Sequence, residues 1–258
     1  MGLLELGRKS SVHVGIGCPN EIAGAIGVKL SEMKSDIRLV VYKDDGHLLG
    51  DLQNGEIGAA VRGTLSSSST MKGIRDTFAL SDVKRAALLE NSSGKPFLLA
   101  PVGIDEGRDY ESRLALAREA LCYFSDMNWR LRVGILSKGR VEDVHRGLEI
   151  MSSIEDGHRM ARELVKDGHD VQHYSILIED AVRECDLVIA PDGISGNLIF
   201  RTLHFIGGCR AYGAPVVNLH KVVFVDTSRA KVDFTDSVLL AAGLAIARRK
   251  SLPRFEGP

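Results

Sequence analysis

The residue types best suited to chemistry lie in residues 186–208, which read DLVIAPDGISGNLIFRTLHFIGG. The pattern predicts a short buried strand at residues 187–190, a turn at Asp192-Gly193, and a helix capped by Ser195 or a neighbour. Such a junction directs backbone N–H groups and the positive end of a helix dipole toward one point. It therefore favours an anionic ligand. An ordinary tight turn between a strand and a helix has the same pattern and stays open as an alternative.

Two further segments combine hydroxyl groups with a cation. Residues 59–74, AAVRGTLSSSSTMKGI, predict a strand, a glycine, and a serine run that leads into a helix. Residues 222–230, VVFVDTSRA, predict a strand that ends near Ser228 and Arg229. Hydroxyl groups and a cation at a helix start suit a phosphate group. A serine run before a helix is also typical of a flexible cap.

The sequence of these segments resembles that of the phosphate acyltransferases. Phosphotransacetylases and phosphotransbutyrylases have the pattern P-D-x-x-x-G-N-x-x-(Y/F)-(K/R), and the acyl-carrier-protein branch has D-G-x-x-G-N. The matching residues here are Pro191, Asp192, Gly193, Gly196, Asn197, Phe200 and Arg201. Within this phosphotransacylase superfamily the chain is most similar to the archaeal methanogen marker protein 4 (MtxX) branch, through LSKGRVEDVHRG at residues 136–147.

The resemblance implies a set of substrate-binding residues. In the superfamily, an S-G-A-x-H-(T/S)-T-x-D-x-x-R segment surrounds the acyl phosphate. This chain has Arg62 at the first serine position, and Lys72 or Arg75 in place of the later arginine. A lysine neutralises phosphate but lacks the bidentate fork of arginine. The implied substrate-binding residues are Arg62, Gly63, Ser66, Ser67, Lys72, Asp192, Gly193, Gly196 and Asn197.

The resemblance also implies a reaction, in which the thiolate of coenzyme A attacks the carbonyl carbon of an acyl phosphate and phosphate leaves. Ser228 would orient the thiol or the carbonyl, and Arg229 would hold phosphate. Asp233 or Asp236 would be the catalytic base, although neither has the family spacing after the S-R pair. No cofactor would be tightly bound. Coenzyme A would be a co-substrate, the other partner would be a small anionic metabolite, and the protein would be a homodimer.

Strand patterns alternate with helical patterns along the chain, which favours an α/β fold with a mainly parallel sheet. Strands are predicted at residues 11–16, 37–42, 57–61, 96–101, 131–136, 171–178, 187–190 and 216–225, and helices at residues 110–124 and 150–166. A last helix is predicted with Thr235 as its cap and Asp236 matching the helix dipole.

The resemblance implies two α/β domains with mainly parallel sheets and an intervening cleft, as in phosphotransacetylases and isopropylmalate dehydrogenases. The first domain would comprise residues 1–139 and 218–258, because the chain end returns to it in phosphotransacetylases. The second domain would be inserted at residues 140–217.

Two other functions stay open. The sequence VHVGIGCPNEIAG places Gly15 and Gly17 after a strand, as in methyltransferases that bind S-adenosylmethionine, and Asp44 or Asp45 could bind its ribose. The acidic residue that usually precedes the first glycine pair is absent. The second alternative is an accessory protein of methanogenic one-carbon metabolism, which would bind an anionic metabolite or a partner without acyl transfer.

Composition argues against several classes of protein. The formal net charge is −1, so no basic surface for nucleic acid is expected. The longest apolar run, in the last helix, is too short to span a bilayer, and the N-terminus lacks the apolar core of a signal peptide. We therefore expect a cytoplasmic protein that does not bind a membrane.

No metal site is predicted. The 4 cysteines are scattered without a C-x-x-C pair, and the 8 histidines are also dispersed. His169 and His173 have helical ligand spacing, but they follow a predicted helix stop at Gly168. A solvated loop is the expectation for both histidines.

Overall fold

The computed structural model describes residues 2–228 and 231–251. In chain order the elements are α1 (Leu3–Arg8), β1 (His13–Gly17), α2 (Asn20–Glu32), β2 (Arg38–Tyr42), α3 (Asp45–Asn54), β3 (Ala59–Val61), α4 (Ser67–Phe78), β4 (Ala87–Glu90), β5 (Pro96–Ala100), α5 (Tyr110–Ser125), β6 (Val133–Leu136), a 3₁₀ helix (Val141–Arg146), α6 (Leu148–Lys166), β7 (Val171–Ser175), α7 (Ile178–Glu184), β8 (Leu187–Ile189), α8 (Gly193–Phe205), β9 (Arg210–Pro215), β10 (Phe224–Asp226) and α9 (Thr235–Ser251). The chain is thus an α/β protein in which most strand pairs are parallel.

The described residues form two compact units, which we call unit 1 and unit 2. Unit 1 comprises residues 2–83, 126–128 and the described residues from Tyr212 onward, and unit 2 comprises residues 84–125 and 129–211. The predicted boundary between residues 139 and 140 lies too late in the chain. Because β5 and β6 both pair with β8, residues before that boundary belong to the same sheet as residues after it.

The unit 1 sheet has the strand order β2-β1-β3-β10-β9. The first four strands are parallel, and β9 is antiparallel to β10. Apolar residues of α3 and α4 pack with Phe224 of β10, namely Leu48, Leu49, Leu52, Met71 and Ile74. Burying a side chain of this kind stabilises the fold by about 1.5–3 kcal/mol.

Helices α1 and α9 cross in unit 1 at two glycines. A Cβ added to Gly7 would overlap the Leu239 carbonyl oxygen, and a Cβ added to Gly243 would overlap the Leu3 carbonyl oxygen. The alanine-rich body of α9 is buried around this crossing. The close approach of the two backbones therefore explains why α9 is rich in small residues.

The unit 2 sheet has the strand order β4-β5-β8-β6-β7. Strands β5, β8, β6 and β7 are parallel, and β4 is antiparallel to β5. All three residues of β8 are fully buried, since this strand lies at the centre of the sheet. Its short apolar sequence is typical of a strand covered on both faces.

Two strands were not predicted from the sequence, β4 and β9. The predicted strand at residues 216–225 is largely wrong, because only Phe224–Asp226 forms a strand there and turns precede it. Val216 and Val217 are fully buried although they lie outside a strand. Their apolar character reflects burial, which a continuous apolar run does not distinguish from strand structure.

One predicted helix cap is corrected. Helix α8 is capped by Asp192, whose Oδ1 accepts a hydrogen bond from Ser195 N at 2.7 Å. Its cap is thus an aspartate located before the predicted serine, as expected from the strong N-cap preference of aspartate. Thr235, the predicted cap of the last helix, is the first residue of α9, and its N–H donates to Asp233 Oδ1 at 2.9 Å.

Among the described residues, no helix combines the length and the apolar character that crossing a membrane requires.

Candidate substrate sites at the carboxyl edges of the sheets

The loops that follow parallel strands meet at one edge of each sheet, which is where α/β proteins bind ligands. In unit 1 these loops follow β1, β3 and β10, and in unit 2 they follow β5, β6 and β8. The predicted site residues lie in these loops or in the first two turns of the helices that follow them, apart from Arg229, which lies outside the described residues.

Arg62 connects β3 to β10 in the interior of unit 1. Its side chain is 2% exposed, and its Nε donates to Asp226 Oδ1. Nη1 donates to Leu65 O at 2.6 Å, and Nη2 donates to Thr227 O. Three donors of this buried guanidinium thus bind acceptors of the chain itself, and the contact of Arg62 with substrate stays a prediction.

Gly63 and Thr227 join the loops after β3 and β10. Thr227 Oγ1 donates to Gly63 O at 2.9 Å. Gly63 has a φ of 62°, and an added Cβ would overlap the Gly17 carbonyl oxygen at the end of β1. Glycine is therefore required here by the packing of the three loops, independently of any ligand.

The serine run is located at the start of α4. Ser66 is exposed and caps the helix, with Oγ 3.5 Å from Ser69 N, and Ser67 is half-buried. The first turn of α4 has no acidic residue, and the exposed Lys72 lies in its second turn. Because Gly63 bonds to Thr227, the serine run and Ser228 lie at the same edge of unit 1.

The two candidate bases differ in their surroundings. Asp233 Oδ2 lies 2.7 Å from Lys29 Nζ, and Oδ1 accepts from both Thr235 N and Thr235 Oγ1. Burial raises the pKa of Asp233, but the hydrogen bonds from Lys29 and Thr235 outweigh it and lower this pKa to about 2. A carboxylate of such low pKa is a weak general base. Asp236 lies in the first turn of α9 and is half-buried.

In unit 2 the glycines of the D-G-x-x-G-N segment pack against the chain itself. A Cβ on Gly193 would overlap the Gly103 carbonyl oxygen, and a Cβ on Gly196 would overlap the Pro101 carbonyl oxygen. Asn197 Nδ2 donates to Val102 O at 2.8 Å. The loop after β5 thus approaches these glycines closely, at the place where the sequence predicts a bound anion.

Asp192 and Gly193 also line a cavity of about 360 Å³ within unit 2. Lys138, in the loop after β6, lies at its wall, with Nζ 3.0 Å from Asp192 Oδ2 and 2.7 Å from Glu149 Oε1. Burial raises the pKa of Asp192, but hydrogen bonds from Ser195 and Lys138 outweigh it, so the pKa is lowered. The N-terminus of α8 is therefore occupied by a carboxylate of the chain.

A second charged pair lines the same cavity. Arg113 of α5 is buried, and its Nη2 donates to Asp156 Oδ2 of α6 at 2.7 Å. Sequence reasoning did not identify Arg113, Asp156 or Glu149, because single charged residues are common in helices and no local motif marks these three. The sequence signals near this cavity were the D-G-x-x-G-N segment and the S-x-G sequence that contains Lys138.

The glycine pair considered for S-adenosylmethionine has a packing role. A Cβ on Gly15 would meet the side chains of Ile57 and Leu48, and a Cβ on Gly17 would overlap Leu65. Asp44 caps α3 by accepting from His47 N at 2.9 Å. Side chains of the chain itself fill the space beside both glycines.

No known family model matches this sequence. The chain is 37% identical over 223 residues to "Putative methyltransferase mtx subunit X" of Methanosarcina acetivorans, covering 86% of this chain and 79% of that protein. It is also 37% identical over 255 residues to "Uncharacterized methyltransferase MK0941" of Methanopyrus kandleri, covering 91% and 99% of the two chains. The chain belongs to the mtx subunit X family. This assignment agrees with the branch that the sequence resembles.

The fold of this chain is similar to that of solved phosphotransacylases. A branched-chain phosphotransacylase from Enterococcus faecalis V583 superposes with a TM-score of 0.71 at 15% identity, covering 91% of this chain and 99% of that one. A phosphotransacetylase from Streptococcus pyogenes gives a TM-score of 0.65 at 11% identity, with 94% and 97% covered. At sequence identities this low, the similarity shows a shared fold and nothing about function.

Proposed function

We propose that this protein transfers an acyl group between phosphate and coenzyme A or a related thiol. The main support is the carboxyl edge of unit 1, where the hydrogen bond from Thr227 to Gly63 brings Ser228 and the serine-rich start of α4 to one edge. The first turn of α4 lacks an acidic residue, so its N-terminus offers N–H groups and a positive dipole end to an acyl phosphate. The phosphotransacylase fold gives further support.

In this reaction the thiolate attacks the carbonyl carbon, a C–S bond forms, and the C–O bond to phosphate breaks with its electron pair leaving on phosphate. The hydroxyls of Ser66 and Ser67 and the ammonium of Lys72 would offset the phosphate charge. Ser228 would orient the carbonyl or the thiol, and Arg229 would hold the leaving phosphate. Of the two candidate bases we assign the thiol proton to Asp236, because the lowered pKa of Asp233, about 2, makes that carboxylate a weak base.

Coenzyme A would act as a co-substrate that dissociates after each turnover, with no tightly bound cofactor. Acyl phosphates and coenzyme A are cytoplasmic metabolites, so the proposal includes a cytoplasmic location. The absence of a basic charge excess in the sequence supports a small anionic metabolite over nucleic acid as the partner.

The protein partner that we propose is a second copy of the chain, bound through α8. Only Gly193 and Gly196 are buried among the described residues of this 13-residue helix. Leu198 is 60% exposed, and Ile206, immediately after the helix, is 83% exposed. An apolar helix face of this kind is covered when two copies pack about a twofold axis. Leu198→Asp should convert a dimer into a monomer in light scattering, and a monomeric wild-type protein would contradict this contact.

Acyl transfer is tested with the purified protein, coenzyme A and acetyl, propionyl or butyryl phosphate. We expect thioester and inorganic phosphate to form in equal amounts, and only when both substrates are present. A protein that binds coenzyme A without turnover of any of these acyl phosphates would instead be an accessory protein.

The names of the relatives favour methyl transfer as the second candidate function. Purified protein would then be stabilised by S-adenosylmethionine, because a ligand that binds only the native state raises the melting temperature. A rise in melting temperature with S-adenosylmethionine, together with none for coenzyme A or acetyl phosphate, would favour the methyltransferase.

A further inference from the structure

The cavity in unit 2 has the size and construction of a small-molecule site. Its volume of about 360 Å³ lies within the range of ligand pockets, roughly 300–1,000 Å³. Its wall includes the first turns of α5, α6 and α8 together with the loop after β5. The pocket lies wholly within unit 2, all of whose residues are described.

Arg113 provides unused hydrogen-bond donors at this wall. Its side chain is 4% exposed, and its only hydrogen bond to the described residues goes to Asp156 Oδ2 at 2.7 Å. A guanidinium has five N–H donors, so Arg113 can donate further hydrogen bonds into the cavity that it lines. The cavity therefore favours a ligand that gives Arg113 a second acceptor.

Asp156 provides an unused acceptor beside that donor. Its hydrogen bond to Arg113 uses Oδ2, so within the described chain Oδ1 remains available to a donor from the cavity. The side chain of Asp156 is 28% exposed, so that a ligand can reach it. A donor and an acceptor of opposite charge thus lie side by side in one wall.

The other charged groups of the cavity disfavour a ligand whose charges are all positive or all negative. Asp192 and Glu149 would repel a simple anion, and Asp192 already occupies the N-terminus of α8. Lys138 and Arg113, with the positive ends of three helices, would repel a simple cation. A molecule with one anionic and one cationic group can satisfy both sets of charges.

We propose that this cavity binds a small zwitterion of the α-amino acid class, with its carboxylate on Arg113 and its ammonium on Asp156. The carboxylate would complete the guanidinium fork, which matches carboxylate geometry. The ammonium would donate to Asp156 Oδ1. All lining residues of the cavity belong to unit 2, and none is among those assigned to the reaction in unit 1. Asp192 and Gly193, which the family resemblance implies as substrate-binding residues, are part of its wall.

The test is the melting temperature of the full chain with each of the 20 common amino acids, and with acetate and methylammonium as probes that carry one charge sign. We expect at least one amino acid to raise the melting temperature and the two single-sign probes to leave it unchanged. Stabilisation by none of the amino acids, or equal stabilisation by acetate or methylammonium, would overturn the proposal.

Two variants locate the binding. Asp156→Asn keeps the volume and the hydrogen bond but removes the charge, and it should weaken the amino-acid Kd at least about tenfold in calorimetry. Ser152→Phe, at an exposed lining position, should block the cavity without changing its charges. Glu155→Gln, an exposed neighbour outside the cavity wall, is the control and should bind as the wild type does. Undiminished binding by both test variants would place the ligand elsewhere and overturn the proposal.

Discussion

Lys138 Nζ lies 3.0 Å from Asp192 Oδ2, which joins the loop after β6 to the residue that caps α8. The same aspartate accepts from Ser195 N through Oδ1. Asp192 therefore serves two structural functions at the point where the sequence pattern suggests an anion site. The carboxylate takes the place at the helix N-terminus that a bound anion would otherwise occupy.

Removing this cap should loosen the start of α8. We expect Asp192→Ala to lower the free energy of unfolding by about 1–2 kcal/mol, the usual cost of losing an N-cap. Asp192→Asn keeps the cap but weakens the pair with Lys138, and it should cost less than 1 kcal/mol. Urea unfolding measures both values, and equal losses for the two variants would show that the ion pair matters more than the cap.

Gly196 should tolerate no side chain. We expect Gly196→Val to destabilise unit 2 by more than about 2 kcal/mol, because the added Cβ would overlap the Pro101 carbonyl oxygen and force the loop after β5 to move. Gly50→Ala in α3 is the control, since nothing lies within 4 Å of its added Cβ. That change should stabilise the protein by about 0.5–1 kcal/mol through helix propensity. A Gly196→Val variant of wild-type stability would mean that the glycine is not required by packing.

The buried pair of Arg62 and Asp226 should matter far more than a surface pair. Arg62→Ala leaves the Asp226 carboxylate buried without its guanidinium, which typically costs about 3–5 kcal/mol. Arg118→Ala removes a partly exposed pair with Asp167 and should cost less than about 1 kcal/mol. Both values come from chemical denaturation. Similar losses for the two variants would contradict a structural role for Arg62.

His173 should make stability depend on pH. Burial, followed by the effect of His158, lowers the pKa of His173 from its ordinary 6.5 to about 4. Between these values the unfolded chain binds a proton that the folded chain does not, so stability falls as pH falls from 6.5 to 4 and is retained above 6.5. The loss should be on the order of 2 kcal/mol. His173→Gln should flatten this slope, whereas His47→Gln on the surface should not. An unchanged slope in the His173 variant would refute the assignment.

Arg229 and Ser228 should differ in their importance for acyl transfer. We expect Arg229→Ala to lower kcat/KM by roughly two to three powers of ten, about 3–4 kcal/mol, because a guanidinium provides charge and directed hydrogen bonds to the leaving phosphate. Ser228→Ala should cost less, since water can replace a hydroxyl. Arg38→Ala, an exposed arginine of β2, is the control and should retain full activity. Full activity of the Arg229 variant would remove this residue from the reaction.

Long periodic segments and apolar runs predicted much of the fold. Helices α5 and α6 begin and end within two residues of their predicted limits. Strand β9 was missed because its sequence, RAYGAP, includes a glycine and a proline, which are typical of turns. The short β4 alternates in burial, but its sequence, ALLE, does not alternate between apolar and polar residues. His173, expected in a solvated loop, lies in β7 with Nε2 3.0 Å from Ser137 Oγ.

The candidate site was predictable only where a local pattern marks it. The segment around Asp192 combines a strand, a turn and a helix start, and the structure has all three. Arg113 and Asp156 could not be found in this way, because they are 43 residues apart and the sheet topology brings them together. At Gly196 the sequence suggested a close approach to a ligand, but the structure shows a close approach to the Pro101 carbonyl oxygen. A glycine needed for internal packing has the same sequence pattern as one that contacts a ligand.

Because α1 docks on α9 across Gly7 and Gly243, the first described helix cannot be buried against its partner until the last described helix has been synthesised. Strand β3 likewise pairs with β10, which is separated from it by all of unit 2. Unit 2 is complete once residue 211 has been made. During translation the middle of the chain therefore folds before its beginning, and the apolar strands β1 and β3 remain open to aggregation or to chaperones for most of that time.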